Sequence, residues 1–305
     1  MFERWLGPIG FIAEADGASC FKRCRAIKIA PYYDLGYQRA AGVFETILAI
    51  NGVLFHPEDH VVRLAHSCEE LKIPRRWRQE DIIEKISLVA RHNKVCFPRG
   101  VLKIFISANT CDGRTVSNLN NSRMVVLEYG SEPYPPRMYE EGIILGFHDF
   151  KRPFPTAKGI SGGYDQERVY NSEFYDLLFC HWDDQNGRRE VTECSRSNFF
   201  YIRNGVVYLP SRDAVLDGVT RKIMVELMQS AGIQYDDTVH VSVNQLRVAD
   251  AVGITSTTAG VVPVASIKGS TAKEPIQYDV KDSVLRTLIT AFDACQKEYF
   301  ASRTN

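Results

Sequence analysis

The 305-residue sequence has no apolar run near 18 residues and no excess of charge of either sign, with Lys plus Arg and Asp plus Glu at 37 each. The first absence removes any expectation of a membrane-spanning helix. Charge balance argues against a broad nucleic-acid or anionic-membrane surface and leaves room only for a local basic site. Eight cysteines, at 20, 24, 68, 96, 111, 180, 194 and 295, include no CxxC pair, and the seven histidines include no HExxH. That composition points to reduced thiols and no metal site. Only short apolar pieces follow Glu3, so no signal peptide is expected and the default compartment is the cytoplasm. No internal repeat or low-complexity tract is present. At 45% hydrophobic and 24% charged residues, the chain has material for two domains.

Periodicity and turn residues outline the elements that are there. Residues up to about 40 read as short strands and turns, with Asp34-Leu35-Gly36-Tyr37 as a turn. Residues 42–50 and 53–55 flank Asn51-Gly52, which fits either a hairpin or a helix-to-strand junction. Helical spacing of Val61, Leu64, Cys68 and Leu71 predicts a helix over 58–71 with Arg63 beside its apolar face. A second helix is predicted over 81–92, and strands over 101–107 and 124–129. Gly130-Ser131-Glu132-Pro133-Tyr134-Pro135-Pro136 resists both helix and inner strand. The sequence therefore divides into an N-terminal domain, 1–129, a linker, 130–136, and a C-terminal domain, 137–305. Strands over 143–148 and 176–182 and helices over 164–174 and 220–231 follow, and Val280, Val284, Leu285, Leu288, Ile289 and Phe292 mark a closing helix.

The most informative stretch runs from 190 to 221. Val191-Thr192-Glu193 leads through a small polar turn to Asn198-Phe199-Phe200-Tyr201-Ile202, then Asn204-Gly205, a strong hairpin signal, then Val206-Val207-Tyr208-Leu209. Leu216-Asp217-Gly218-Val219-Thr220-Arg221 opens a helix with a glycine and a hydroxyl, a start whose backbone N–H groups suit a phosphate. Alone, Glu193 reads as a strand carboxylate and Thr220 as an N-cap.

Val-Thr-Glu with Asn-Phe-Phe, then Gly-Val-Thr-Arg, together with Gly42-Val43-Phe44-Glu45-Thr46 and His60-Val61-Val62-Arg63-Leu64 in this order, resembles the class IV pyridoxal-phosphate enzymes. That group contains branched-chain and D-amino-acid aminotransferases, (R)-selective amine transaminases and aminodeoxychorismate lyase. The resemblance covers nearly the whole chain. It implies an α/β (α+β) protein of fold type IV, with a smaller N-terminal α/β domain, a larger C-terminal pseudo-barrel domain, pyridoxal 5′-phosphate bound between them, and a homodimer. Lys158, which alone reads as a loop lysine among prolines and glycines, inherits the Schiff-base role, because its place about 35 residues before Glu193 matches. Glu193 inherits the pairing with the pyridine nitrogen, and Leu216 the packing against the ring. Arg63, Val219, Thr220, Ser256 and Thr257 inherit the phosphate. Guanidinium suits that task, since its planar fork gives parallel charge-assisted bonds to phosphate oxygens.

By the same resemblance Phe44, Thr46, Lys103, Arg114, Tyr164, Thr258 and Ala259 face the substrate. Relatives carry Tyr-Gly-Asp-Gly where this chain has Arg39-Ala40-Ala41-Gly42, a departure that bears on the substrate. Two reactions share such a site: transfer of an amino group between an amino acid or amine and a 2-oxo acid, and lyase chemistry giving 4-aminobenzoate and pyruvate. Residues 100–107 with Gly113-Arg114, and Thr46, resemble the lyase. Ala108-Asn109-Thr110-Cys111-Asp112 departs from it, and the paired Arg-x-His of D-amino-acid enzymes is absent, because Thr115 and Val116 follow Arg114. A third reading, a non-catalytic binding protein on the same fold, would be expected to have lost Lys158, Glu193 or a phosphate residue, and all are present.

Overall fold

The computed structural model describes residues 8–13, 19–23, 34–108, 122–160, 173–184, 186–269 and 274–303. They fall into two compact units: 1–132 with 157–161 and 297–305, and 133–156 with 162–296. The break after 132 lies within the Pro-rich stretch, while 157–161 and 297–305 cluster with the first unit rather than the second.

The first unit holds β1 (Ile9–Ala13), β2 (Ser19–Arg23), α1 (Leu35–Arg39), β3 (Gly42–Ile50), β4 (Val53–Leu54), α2 (Pro57–Glu70), α3 (Gln79–Asn93), β5 (Arg99–Ala108) and β6 (Ser122–Gly130). Its sheet has the order β2-β1-β6-β5-β3-β4 and every pairing is antiparallel. The ambiguity at 42–55 resolves as a hairpin. Asn51 and Gly52 both take positive φ, 48° and 81°, the conformation that matches a two-residue turn to the twist of its strands. The expected turn at 34–37 is instead the start of α1. Asp34 caps this helix by accepting from the Tyr37 N–H, and Arg123 and Ser107 also bond its carboxylate. A short polar side chain that can terminate backbone donors favours a helix start over a turn at such a site.

Strand alternation gives β3 two distinct faces. Val43, Ile47 and Ala49 join Leu102, Ile104 and Ile106 of β5 in a core with Leu64 of α2 and Ile82 and Ile86 of α3. Phe44, Thr46, Lys103 and Phe105 lie on the other, half-buried face. Glu45 lies on the apolar face, opposite Ile104.

The second unit holds α4 (Pro136–Glu141), β7 (Ile143–Asp149), β8 (Asp176–Asp183), β9 (Arg188–Cys194), β10 (Asn198–Arg203), β11 (Val206–Pro210), α5 (Val219–Ala231), β12 (Tyr235–Val239), β13 (Val241–Ser242), α6 (Val243–Leu246), β14 (Ala251–Ser256), β15 (Gly260–Lys268), β16 (Ile276–Gln277) and most of α7 (Ser283–Ala301). Its ten-stranded sheet has the order β12-β11-β10-β14-β15-β7-β8-β9-β13, with β16 on β15. Alternating residues such as Leu145, Leu178, Val191, Phe199, Ile254 and Val262 form one core. Asn204-Gly205 again carries positive φ at both positions. Of the helix expected over 164–174, residues 164–172 lie outside the described residues, and Glu173 and Phe174 are not helical. No described helix is long and apolar enough to cross a membrane.

One buried carboxylate fixes the connection from β9 to β10. Asp176 is fully buried and accepts from the Ser195 hydroxyl at 2.6 Å, the Ser197 hydroxyl at 2.5 Å and its neighbour's N–H at 2.9 Å. The turn also bonds through Cys194 N–H to Ser197 O and Ser195 N–H to Leu177 O. Asp176→Ala would strand these donors, so unfolding by heat or denaturant should show a loss of about 2–4 kcal/mol. An unchanged midpoint would contradict this account of the turn.

Glu128 of β6 is a carboxylate in the first unit's interior. Neither of its oxygens meets a well-aligned donor among the described residues. Burial, offset only in part by Asn93, raises its pKa to about 7. Because the folded value lies above the unfolded one, this group's contribution is fully present below about pH 4.5 and is lost as pH rises toward 7. Glu128→Gln should therefore raise the melting temperature at about pH 8, by the equivalent of about 2–3 kcal/mol, and leave it nearly unchanged at about pH 4. A variant that tracks the wild type at both values would contradict the assignment.

Candidate functional site

In the first unit the site is built along one edge of β3. The Phe44 N–H donates to the Lys158 carbonyl, the Ile160 N–H donates to the Gly42 carbonyl, and Val43 bridges Gly159 antiparallel. Space is tight here: a Cβ at Gly42 would stand 2.8 Å from Ile160 Cδ1, and one at Gly159 would stand 2.9 Å from Leu71 Cδ1. The Lys158 N–H donates to Ser67 Oγ of α2 at 2.9 Å, and that hydroxyl in turn donates to the Arg63 carbonyl. Lys158 is thus held by its backbone on both sides. Its Nζ lies 4.8 Å from the centre of the Phe44 ring, a contact that stabilises a cation on an aromatic face. Lys103 Nζ lies 5.9 Å from the same ring and 5.9 Å from that of Tyr129.

Arg63 and His60 share the stripe of α2 that carries Ser67. Arg63 Nε donates to Glu45 Oε1 at 2.7 Å and Nη2 to Glu45 Oε2 at 2.8 Å, a two-point ion pair. His60 Nδ1 lies 2.8 Å from Glu45 Oε2. Burial would push the Glu45 carboxyl up, but the charge and hydrogen bonds of Arg63, with help from His60, outweigh it and hold the group well below the usual carboxylate range. Burial lowers His60, against the pull of Glu45, and the charges of Arg63 and Lys158 lower it further. A neutral imidazole in this setting donates from Nδ1 to the carboxylate.

In the second unit Glu193 is 3% exposed and sits just before the turn fixed by Asp176. Its Oε1 pairs with Arg152 Nη1 at 3.1 Å. Its Oε2 accepts from Asn198 Nδ2 and from the Leu216 N–H, each at 3.2 Å. Asn198 also donates to the Leu216 carbonyl at 2.8 Å. The same amide forces a glycine at 218, where a Cβ would stand 1.9 Å from Asn198 Oδ1.

Gly218 is the N-cap of α5, and no side chain caps this helix. Thr220 is therefore the second helical residue rather than the N-cap. An uncapped start of a 13-residue helix offers N–H donors and the positive end of the dipole. Arg221 of the same motif is buried and donates from Nη2 to the carbonyls of Pro210 and Asp237. Ser256 closes β14, and Thr257 to Ala259 form the turn into β15. Tyr134 Oη lies 3.3 Å from Thr258 Oγ1, and the Tyr139 hydroxyl donates to the Ala259 carbonyl at 2.9 Å, so two tyrosines brace this turn.

Among the residues singled out in the sequence, Lys158, Arg63, Phe44, Thr46 and Lys103 belong to the first unit. Glu193, Leu216, Val219, Thr220, Ser256, Thr257, Thr258 and Ala259 belong to the second. Arg114 and Tyr164 lie outside the described residues. Four residues that touch these groups escaped the sequence reading: Glu45, Ser67, Arg152 and Asn198. Two of them left a trace: Asn198 as the first residue of Asn-Phe-Phe, and Glu45 as a charge on the apolar face of a strand, where an unpaired carboxylate is costly.

Taken unit by unit, the residues have the chemistry of a phosphorylated pyridine aldehyde's binding groups: in the first, a backbone-pinned amine suits an aldehyde carbon and an arginine suits a phosphate; in the second, a buried carboxylate suits a ring nitrogen, and an uncapped helix start and paired hydroxyls suit a phosphate.

The sequence profile described as amino-transferase class IV matches residues 42–267. The chain is 24% identical over 266 residues to a D-alanine aminotransferase from Bacillus licheniformis, covering 84% of this chain and 91% of the relative. It is also 24% identical over 204 residues to a probable branched-chain-amino-acid aminotransferase from Rickettsia bellii (strain RML369-C), covering 64% and 67%. Among solved structures, the branched-chain amino acid aminotransferase of Escherichia coli superposes with a TM-score of 0.75 at 21% identity, covering 95% of this chain and 94% of that one. The 4-amino-4-deoxychorismate lyase of Pseudomonas aeruginosa does so at 0.71 and 19%, covering 92% and 97%. These neighbours share the two-domain fold type IV architecture. The chain belongs to the class IV aminotransferases, a family of pyridoxal-phosphate-dependent enzymes.

Proposed function

We propose that this protein is an aminotransferase that moves an amino group between an amino acid or amine and a 2-oxo acid. Pyridoxal 5′-phosphate is the implied cofactor and two copies of the chain form the working unit. The observation that carries the reading is the setting of Lys158, whose backbone is pinned by Phe44 and Ser67 and whose Nζ lies 4.8 Å from the centre of an aromatic ring, partly out of water. A lysine left in a solvated loop would have no such constraint, whereas a nucleophilic amine needs partial desolvation and a fixed approach. When bound, the cofactor supplies an electron sink for the pair left on the substrate carbon.

The chain's own residues do the rest. Lys158 Nζ would hold the cofactor's aldehyde carbon and, once freed from it, would take and return the substrate proton. The Glu193 carboxylate would face the ring nitrogen and hold its proton in place, while Arg152, Asn198 and the Leu216 N–H orient that carboxylate. Arg63, the α5 start with Thr220, and Ser256 with Thr257 would hold the phosphate. No metal is needed, since one guanidinium and several neutral donors neutralise and orient the anion.

A second reading, the lyase, is favoured by one observation. Thr46 stands directly opposite Lys103 in the β3–β5 register, and Lys103 Nζ faces the same Phe44 ring as Lys158. A second cation on this face suits a substrate that carries extra carboxylates.

Product analysis separates the two. Amino acids of either hand and a chiral amine, each offered with a 2-oxo acid, should yield the corresponding 2-oxo acid or ketone. Pyruvate and 4-aminobenzoate formed from aminodeoxychorismate would select the lyase instead. Lys158→Ala should lower turnover by about a thousandfold or more in either case, and a variant with near-normal turnover would contradict the proposal. Glu193→Gln should lower kcat by about a hundredfold, and an unchanged kcat would remove its proposed role.

A further inference from the structure

Arg63 reaches its place through the carboxylate of Glu45, and three features of that carboxylate call for an explanation. It has no exposure at all, it stands on the β3 face otherwise built from Val43 and Ile47, and it bonds two side chains of one helix, His60 and Arg63. For stability alone, an apolar residue paired with an apolar partner would serve this position as well or better, because burying an ion pair costs desolvation. What a two-point carboxylate adds is orientation. It engages Nε and Nη2, which fixes the guanidinium plane and assigns Nη1 to the edge away from Glu45. His60 bonds the same oxygen as Arg63 Nη2 and keeps the carboxylate from rotating. Ser67, one turn further along the stripe, ties the Lys158 backbone to the helix whose Arg63 is so held.

We infer that Glu45, supported by His60, is a positioning residue that presents the Arg63 guanidinium to the cofactor phosphate in one fixed orientation. The inference rests on the phosphate role proposed for Arg63. Glu45 touches neither substrate nor cofactor and acts through Arg63. Its loss should therefore weaken recognition of the phosphate group specifically, beyond any effect on folding.

The experiment compares the binding of pyridoxal phosphate and of pyridoxal, which lacks the phosphate, to the purified apoprotein by equilibrium dialysis. Melting temperatures are taken on the same samples. The wild type should prefer pyridoxal phosphate. Glu45→Gln should reduce that preference by about tenfold or more, the scale of a charge-assisted hydrogen bond. Glu45→Asp retains the charge but shortens the reach by one methylene, and it should shift the preference in the same direction if the Gln variant fails to fold. In an Arg63→Gln background, Glu45→Gln should cause no further loss of preference. A wild type that binds both compounds equally would remove the phosphate role of Arg63 and this inference with it. If Arg63→Gln abolishes the preference while both Glu45 variants keep it, the positioning role alone is wrong. Equal weakening of both compounds by the Glu45 variants, or a lower melting temperature with the preference intact, would also overturn it.

Discussion

An ionised carboxylate is costly to bury unless charge and hydrogen bonds compensate it, and the first unit is arranged around one such case. Glu45 lies within a strand whose neighbours on that face are apolar, so the helix packed there has to supply His60 and Arg63 at matching height. The requirement fixes the rotation of α2. With that rotation set, Ser67 lies on the same stripe and receives the Lys158 N–H, and Phe44 on the opposite face of β3 receives its ammonium. A single pairing constraint thus governs where a guanidinium and an amine are held.

The second unit solves a similar problem with different means. Asp176 has two hydroxyls and a backbone N–H as its donors, and it fixes the turn that follows Glu193. Glu193 itself takes one cation and two neutral donors. Asn198 links that carboxylate to the Leu216 segment, and the close approach of its side chain admits only glycine at 218. The helix start that follows is left without a side-chain cap, which leaves backbone donors where an anion is wanted.

Local features were legible in the sequence because they depend on few residues. Both Asn-Gly hairpins follow from the ease with which these residues adopt positive φ, and the helix with Val61, Leu64 and Cys68 follows from periodicity. The turn expected at Asp34 failed because a glycine after the leucine hid a short helix whose cap is Asp34 itself. Lys158 and Glu193 could be named from motif and order, whereas the partners that set their chemistry could not. Glu45 and Arg63 are 18 residues apart, and Asp176 and Ser197 are 21 apart. Only the packing of strand against helix, or of strand end against turn, brings each pair together, and no spacing rule encodes that. Arg152 reads as one more loop arginine until Glu193 is placed beside it.

The central claim is that Lys158, among the lysines of this chain, is the amine that carries the cofactor. Two lysines face the Phe44 ring, at 4.8 Å for Lys158 and 5.9 Å for Lys103, so the most direct measurement asks which of them reacts. The protein is incubated with pyridoxal 5′-phosphate, reduced with borohydride, digested and mapped by mass spectrometry. The account predicts one phosphopyridoxyl group per chain, on Lys158. A label on Lys103 or spread over surface lysines, or no label at all, would contradict it.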